Sequence, residues 1–307
     1  GSPALSTPPL PPVDVRRIGQ FMNANSGDEA TTANALLGSS DDSRMVLING
    51  DDLGMASSAN EATIACLRAG LLTSATLIVP ATHAEAAADQ GADLPVGVHL
   101  ALNSEWDADR WRPLTGAASL SDADGWLHRT PSETCARATS ADVRAEWRAQ
   151  IEQAITWGID PTHLDSHMYI AQERPDFFDI YLDLAVEYKL PVRVSGSVNQ
   201  ADHPFRLRAR ERGVACPDHL VRLRHVGSRA DLMAALVNLP AGCSEFHVHP
   251  AADTPGLRQL ASDWAGRVDD LRLLHDPSFW QAIRENSAVI VGYRDLRDAA
   301  RKVSRRL

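Results

Sequence analysis

The sequence predicts an α/β fold on a mostly parallel sheet, with its active site at the C-terminal ends of the strands. Two observations carry this. From Met45 to Val291, short apolar runs alternate with helix-patterned stretches, the signature of repeated strand–helix units. Several of those runs also end in His or Asp. A (β/α) barrel and an open doubly wound sheet fit equally at this point, because both place their chemistry at strand C-termini.

Taken in order, Met45–Ile48 reads as a buried strand ending at the polar corner Asn49-Gly50-Asp51-Asp52. Ser58–Gly70 follows as a helix with a small-residue stripe and a glycine stop. Ala75–Val79 is expected as a strand, His83–Ala88 as a helix and Val96–Leu102 as a strand. Ser140–Trp157 is the clearest helix: Val143, Trp147, Ile151, Ala154 and Ile155 share a face, and Gly158 ends it. Strands are expected at Thr162–Asp165, Val192–Val194, Ser244–Val248 and Ala288–Val291. Helices are expected at Asp176–Tyr188, Ala230–Leu239 and Ser278–Glu285. The polar stretch Asn199–Arg224 reads as a lid or a long connection. Residues 1–43 hold Pro8, Pro9, Pro11 and Pro12 and a Gly/Ser/Thr-rich run. They are expected to form an extension that is partly ordered at best, with a short helix at Val15–Met22. Residues 44–307 then form the catalytic domain.

A net charge of −10 argues against a nucleic-acid partner, which wants a basic stripe. No run is long enough to predict a membrane span. The four cysteines form no CxxC pair, so a thiolate metal site is not expected; Cys66 and Cys243 read as buried hydrophobes, while Cys135 and Cys216 stay open as paired or free. The chain opens on Gly1-Ser2, which reads as a cloning remnant, so a missing signal sequence is uninformative. The Pro-rich extension favours a secreted or periplasmic location over a cytoplasmic one. A homo-oligomer is compatible with the sequence.

Four polar clusters follow strand-like runs: Asp51-Asp52, His99, His163-Leu164-Asp165-Ser166-His167 and His247-Val248-His249. Any one of them suits a solvated turn. Four at equivalent strand ends converge on one mouth, and imidazole with carboxylate is the donor set of a single divalent cation. Such a cation acidifies water and polarises a carbonyl. A neighbouring carboxylate can then act as base, so Asp51 and Asp52 can divide ligation and proton abstraction.

The segments Asn49-Gly50-Asp51-Asp52-Leu53-Gly54, Gly97-Val98-His99-Leu100 and Pro161-Thr162-His163-Leu164-Asp165-Ser166-His167 resemble, in order and spacing, the YdjC-like (ChbG/HpnK) carbohydrate deacetylase family. Glu245–Pro250 is similar to its late His-Pro motif. The resemblance covers about residues 45 to 300. It implies a distorted (β/α) barrel and a metal-dependent deacetylase. By position, Asp52, His99 and His167 would hold the metal: Zn²⁺ by preference, with Mg²⁺, Co²⁺ or Ni²⁺ compatible. Asp51 would be the general base and His249 a general acid or oxyanion partner. Arg193 would orient Asp51 or bind substrate. The implied substrate is an acetylated amino sugar or short oligosaccharide of the chitooligosaccharide kind. One departure stands out. The family often continues the third motif as His-x-His, and this chain has Met168-Tyr169 there.

Asp165 is expected to hold a ligand imidazole through its other nitrogen, and His163 to support the site from behind or to serve the fold. His247 and His249 alternate along a strand, so one is expected in the chemistry and the other in packing. Trp106 and Trp111 either stack on a sugar ring or pin a long loop. Two competing functions remain. A metal-dependent hydrolase of esters or glycosidic links is one; a glycosidase would need a second, facing carboxylate, and none is as well placed as Asp51. The other is a carbohydrate-binding protein with a degenerate site, supported only by Tyr169.

Overall fold

The computed structural model describes residues 32–195, 203–222, 234 and 236–304. The helix expected at Val15–Met22 lies outside these residues, and half of that expected at Ala230–Leu239 does too.

Strand β1 (Arg44–Leu53) is the spine. It is longer than the apolar run suggested. Asn49 and Gly50 keep pairing with a neighbour on each side, so the strand continues through the polar corner. Beside it lie β2 (Ser74–Leu77) and β3 (Val96–Leu100) in one direction. In the other lie β6 (Gly242–Val248) and β5 (His219–Arg222). β4 (Leu164–Ser166) flanks β3, and β7 (Val289–Ile290) pairs with the start of β1. The order is β4-β3-β2-β1-β6-β5, and every pairing is parallel.

Past β4 the hydrogen bonding continues. Leu164 bridges to Val192, and the Val192 N–H donates to Ala215 O at 2.9 Å, in the segment leading to β5. The sheet thereby curls into a distorted barrel. The strand expected at Val192–Val194 shrinks to that single bridge, since Pro191 has no N–H to extend a ladder. The stretch expected as a lid or plain connection contains a helix, Pro204–Glu211, and β5.

The helix Ser140–Thr156 buries Val143, Trp147, Ile151 and Ala154 as its periodicity requires. Ile155 lies about 80° round the axis from Trp147 at 100° per residue and is 45% exposed. At Gly97 in β3, a side chain would collide with the His163 backbone and ring, its Cβ coming 2.6 Å from the carbonyl oxygen. Glycine is what lets the β4 lead-in approach. All four cysteines are free; Cys66, Cys216 and Cys243 are buried.

The end of the expected extension, residues 32–43, packs on the domain. The Asn34 amide donates to the carbonyls of Ser40, Asp41 and Ser43. Ala33 and Leu37 join Met45, Leu47, Cys243 and Tyr293 in a second apolar cluster. Among the described residues no helix is long and apolar enough to cross a membrane.

Candidate active site

The strand C-termini open on a cavity of about 430 Å³ lined by Asp51, Asp52, His99, His167, Arg193, His247 and His249. Neighbouring strand residues normally point to opposite faces, yet Asp51 and Asp52 both reach it. The register of β1 against β2 shifts between Gly50 and Leu53, and Asp52 takes a left-handed φ of 63°. This local break rotates the second carboxylate into the mouth. β3 supplies His99, the turn after β4 supplies His167, and the bridge at Val192 is followed by Arg193. β6 supplies His247, and His249 comes just beyond it.

Asp52, His99 and His167 place one donor atom each within 4.8 Å of one another, and all three are buried. Asp52 Oδ1 lies 3.4 Å from His99 Nε2 and 3.4 Å from His167 Nδ1. The other nitrogen of each ring faces a carboxylate. His99 Nδ1 is 2.7 Å from Asp165 Oδ2, and His167 Nε2 is 2.9 Å from Glu105 Oε2. A carboxylate behind the imidazole is the usual way to orient a metal-binding histidine, and both candidate rings have one. The second Asp52 oxygen is taken by Arg267 Nη2 at 2.9 Å.

Burial alone would push the His99 ring down, but Asp165 more than reverses this and lifts it to about 9. For His167, burial is overcome by Glu105 and Asp52, and the ring rises to about 10. Asp52 is held well below the carboxylate range: burial opposes its charge, and Arg267 with the two rings outweighs burial. In formal charge, the buried carboxylates Asp51, Asp52, Asp165 and Glu245 face the buried guanidiniums Arg193 and Arg267. Counted with the two lifted rings as cations these groups balance, and a divalent cation that displaced both ring protons would leave that balance unchanged. Donor set, supporting carboxylates and charge all fit such an ion. Two other groupings of acid and imidazole fit less well. Asp51 with His247 and His249, and Asp51 with His99 and Asp165, both use a carboxylate whose two oxygens are both held by Arg193, whereas Asp52 keeps Oδ1 toward the two rings.

Arg193 grips Asp51 with two bonds, Nη1 to Oδ2 at 2.6 Å and Nη2 to Oδ1 at 2.7 Å. The Asn49 amide adds a third, 2.8 Å to Oδ1. Arg193 also meets Asp165, and its Nε donates to Glu245 Oε1 at 2.8 Å. Tyr293 O–H donates to Glu245 Oε2 at 2.6 Å. Burial opposes the Asp51 charge, yet Arg193 and then His247 keep it well below the carboxylate range. His249 Nε2 lies 3.8 Å from Asp51 Oδ2, and burial pushes this ring down, towards the neutral form. Its backbone N–H donates to Asp270 Oδ2 at 2.8 Å.

The remaining expected residues fall elsewhere. His163 is fully buried, stacked on Tyr293 at 3.6 Å between centroids, with Thr162 at its Nδ1. It belongs to the polar core under the site and touches no ligand. Trp106 and Trp111 are buried, edge to face at 5.5 Å and packed around His167. Neither lines the cavity, so the reading in which they pin the loop fits and the stacking one does not. His247 and His249 both face Asp51, against the expectation that one would only pack.

Sequence reasoning missed Glu105 and Arg267, and it noted Tyr169 only as a departure from the family pattern. Glu105 adjoins Trp106 and carried no pattern of its own. Arg267 lies on the helix Trp264–Leu274, far along the chain, and only folding brings it to Asp52. Tyr169 lines the cavity from a left-handed backbone (φ 58°), next to Met168 in the same state (φ 50°). Each such non-glycine residue costs about 1–2 kcal/mol, which the surrounding contacts must offset.

Comparison with known proteins agrees with this architecture. A protein of Thermus thermophilus named carbohydrate deacetylase is 34% identical over 260 residues, 79% of this chain and 94% of its own. A Geobacillus stearothermophilus protein of the same name is 29% identical over 257 residues, 82% of this chain and 98% of its own. A crystal structure from Enterococcus faecalis, of a protein for which cellobiose-phosphate cleavage has been suggested, superposes with a TM-score of 0.74 at 22% identity. It covers 83% of this chain and 99% of its own, and it shows the same fold. The model of the family described as YdjC-like protein matches residues 45–285, and on that match, which takes in each strand end that builds the cavity, the chain belongs to the YdjC-like family.

Proposed function

We propose that the chain is a carbohydrate deacetylase that depends on one divalent cation and removes an N-acetyl group from an amino sugar or short oligosaccharide. The observation that carries this is the buried Asp52–His99–His167 donor set with a second carboxylate, Asp51, beside it in one cavity. The names of the relatives supply deacetylation of a carbohydrate; the amino sugar and its N-acetyl group are part of the proposal. Zn²⁺ is the ion best matched to two imidazoles and one carboxylate; Mg²⁺, Co²⁺ and Ni²⁺ are the alternatives.

Held by Asp52, His99 and His167, the cation would polarise the acetyl carbonyl and ease deprotonation of water. The residues do the rest. Arg193 keeps Asp51 ionised and aimed, so it accepts a proton from the water whose oxygen bonds to the acetyl carbon. As the C–N bond breaks, the leaving nitrogen takes up a proton. His249, 3.8 Å from Asp51, is the route by which that proton returns. Buried guanidiniums behind both aspartates keep the charges in place without solvent reorganisation.

The test is acetate release from N-acetylglucosamine, short chitooligosaccharides and O-acetylated xylan. It would use metal-stripped protein with each of the four ions restored in turn. Metal-dependent release from an N-acetyl sugar supports the proposal. Release only from the O-acetyl substrate would make the chain an esterase on the same site. No release despite bound metal would count against deacetylation of these sugars.

A further inference from the structure

One pairing in the mouth has no part in the mechanism above. Tyr169 Oη lies 3.2 Å from His247 Nε2, with the two rings perpendicular and 6.3 Å apart. The opposite nitrogen, His247 Nδ1, faces Asp51 Oδ2 at 3.4 Å. That is the oxygen already held by Arg193 Nη1 and approached by His249. Tyr169 reaches this position only because it and Met168 both turn left-handed after β4.

We propose that Tyr169 is a positioning residue: its hydroxyl fixes the tautomer of His247, and His247 in turn holds Asp51. The logic is one of donors and acceptors. A carboxylate presents lone pairs only, so the contact holds Asp51 only while the nitrogen facing it carries the proton. A neutral imidazole then has a bare Nε2, which needs a donor. The Tyr169 O–H supplies it. The chain Tyr169 O–H to His247 Nε2, and His247 Nδ1–H to Asp51 Oδ2, fixes every hydrogen in one direction. Without the hydroxyl, Nε2 loses its donor in the Nδ1–H form, and the Nε2–H form, which turns a lone pair toward the Asp51 carboxylate, gains weight. The Tyr that departs from the His-x-His pattern is thus matched by an imidazole on β6 that delivers the contact to Asp51.

The proposal rests on the reading of Asp51 as the base, so one arm of the test needs no activity. ¹⁵N-histidine NMR of the full-length protein reads the tautomer of His247 directly. The Nδ1–H form is expected in wild type, with a shift toward Nε2–H in Tyr169→Phe. An Nε2–H wild type, or an unchanged spectrum in the variant, overturns the tautomer assignment whatever the enzyme does. In the kinetic arm, Tyr169→Phe is expected to lower kcat about 10-fold with KM within twofold. His247→Asn keeps a side-chain N–H toward Asp51 without needing Tyr169. In that background, Tyr169→Phe is expected to change nothing further. A raised KM in Tyr169→Phe, or an equal loss in both backgrounds, would make Tyr169 a substrate contact and sink the positioning role. An equal melting temperature for Tyr169→Phe and wild type separates positioning from a structural role, and a large drop would count against the proposal.

Discussion

Arg193 meets Asp51 fork to fork, at 2.6 and 2.7 Å, while the same guanidinium contacts Asp165 and Glu245. One buried cation thus serves three buried acids. Arg193→Met would strand them, and breaking a buried ion pair costs about 3–5 kcal/mol. Arg193→Lys keeps the charge but loses the fork and should fall between. Urea unfolding ranks the three proteins; a Met variant as stable as wild type would mean the acids are protonated and the network is not ionic.

Asp51→Asn should reduce kcat by at least about 10²-fold, the lower range for loss of general acid–base catalysis. Bound metal, measured by elemental analysis, should not change, since Asp51 is not among the proposed ligands. Full activity in this variant would remove Asp51 from the role of base.

Metal loading should release protons. With His99 lifted to about 9 and His167 to about 10, both rings carry a proton at pH 7 in metal-stripped protein. A metal must displace both. Calorimetry in buffers of different ionisation enthalpy should show close to two protons leaving, and affinity should rise with pH up to about 10. The same rings set the stability of the stripped protein. Their folded values lie above the unfolded value of 6.5, so their contribution is complete below pH 6.5 and is lost as pH rises through 9 and 10. The melting temperature after chelation should therefore fall over that window. A flat profile with no proton release would show that the rings are neutral.

Glu105→Gln tests the carboxylate behind His167, 2.9 Å away. Such supporting groups are worth about 10–100-fold in metal affinity. A competition titration with a chromophoric chelator measures this. Unchanged affinity would leave Glu105 as a surface acid that happens to lie near.

Trp111 is 1% exposed, and Trp111→Ala should cost about 3–5 kcal/mol through the void it leaves. Trp111→Phe should keep KM near wild type. A KM rise of tenfold or more in the Phe variant would restore the sugar-stacking role that its burial argues against.

The parallel sheet was legible because strand–helix alternation is a local pattern. The cluster of candidate donors was legible because Asp52, His99 and His167 each follow an apolar run, and strand ends share one mouth. What stayed hidden was hidden for particular reasons. Nothing near Arg267 marks it as a partner for Asp52, 215 positions away in the sequence, because a helix face looks the same in solvent or against a site. Glu105 sits in a loop without periodicity. Trp106 and Trp111 followed a candidate ligand closely enough to suggest a binding face, but sequence cannot say which way a loop folds. The capping box at Thr130 and Glu133 opens a helix, Pro131–Arg137, that sequence reading passed over, although the Thr-Pro-Ser-Glu signal was present.

The left-handed Asp52 bears on how this site should be probed. Alanine scanning, the common first experiment, would misreport it. Ala tolerates that backbone poorly, at about 1–2 kcal/mol, and Asp and Asn tolerate it better than most. Asp52→Ala would therefore remove a donor and relax the bulge together, and the relaxed strand would swing its neighbour away from Arg193. One substitution would read as the loss of two carboxylates. Asp52→Asn keeps the turn and changes only the charge, so it alone isolates what the carboxylate contributes.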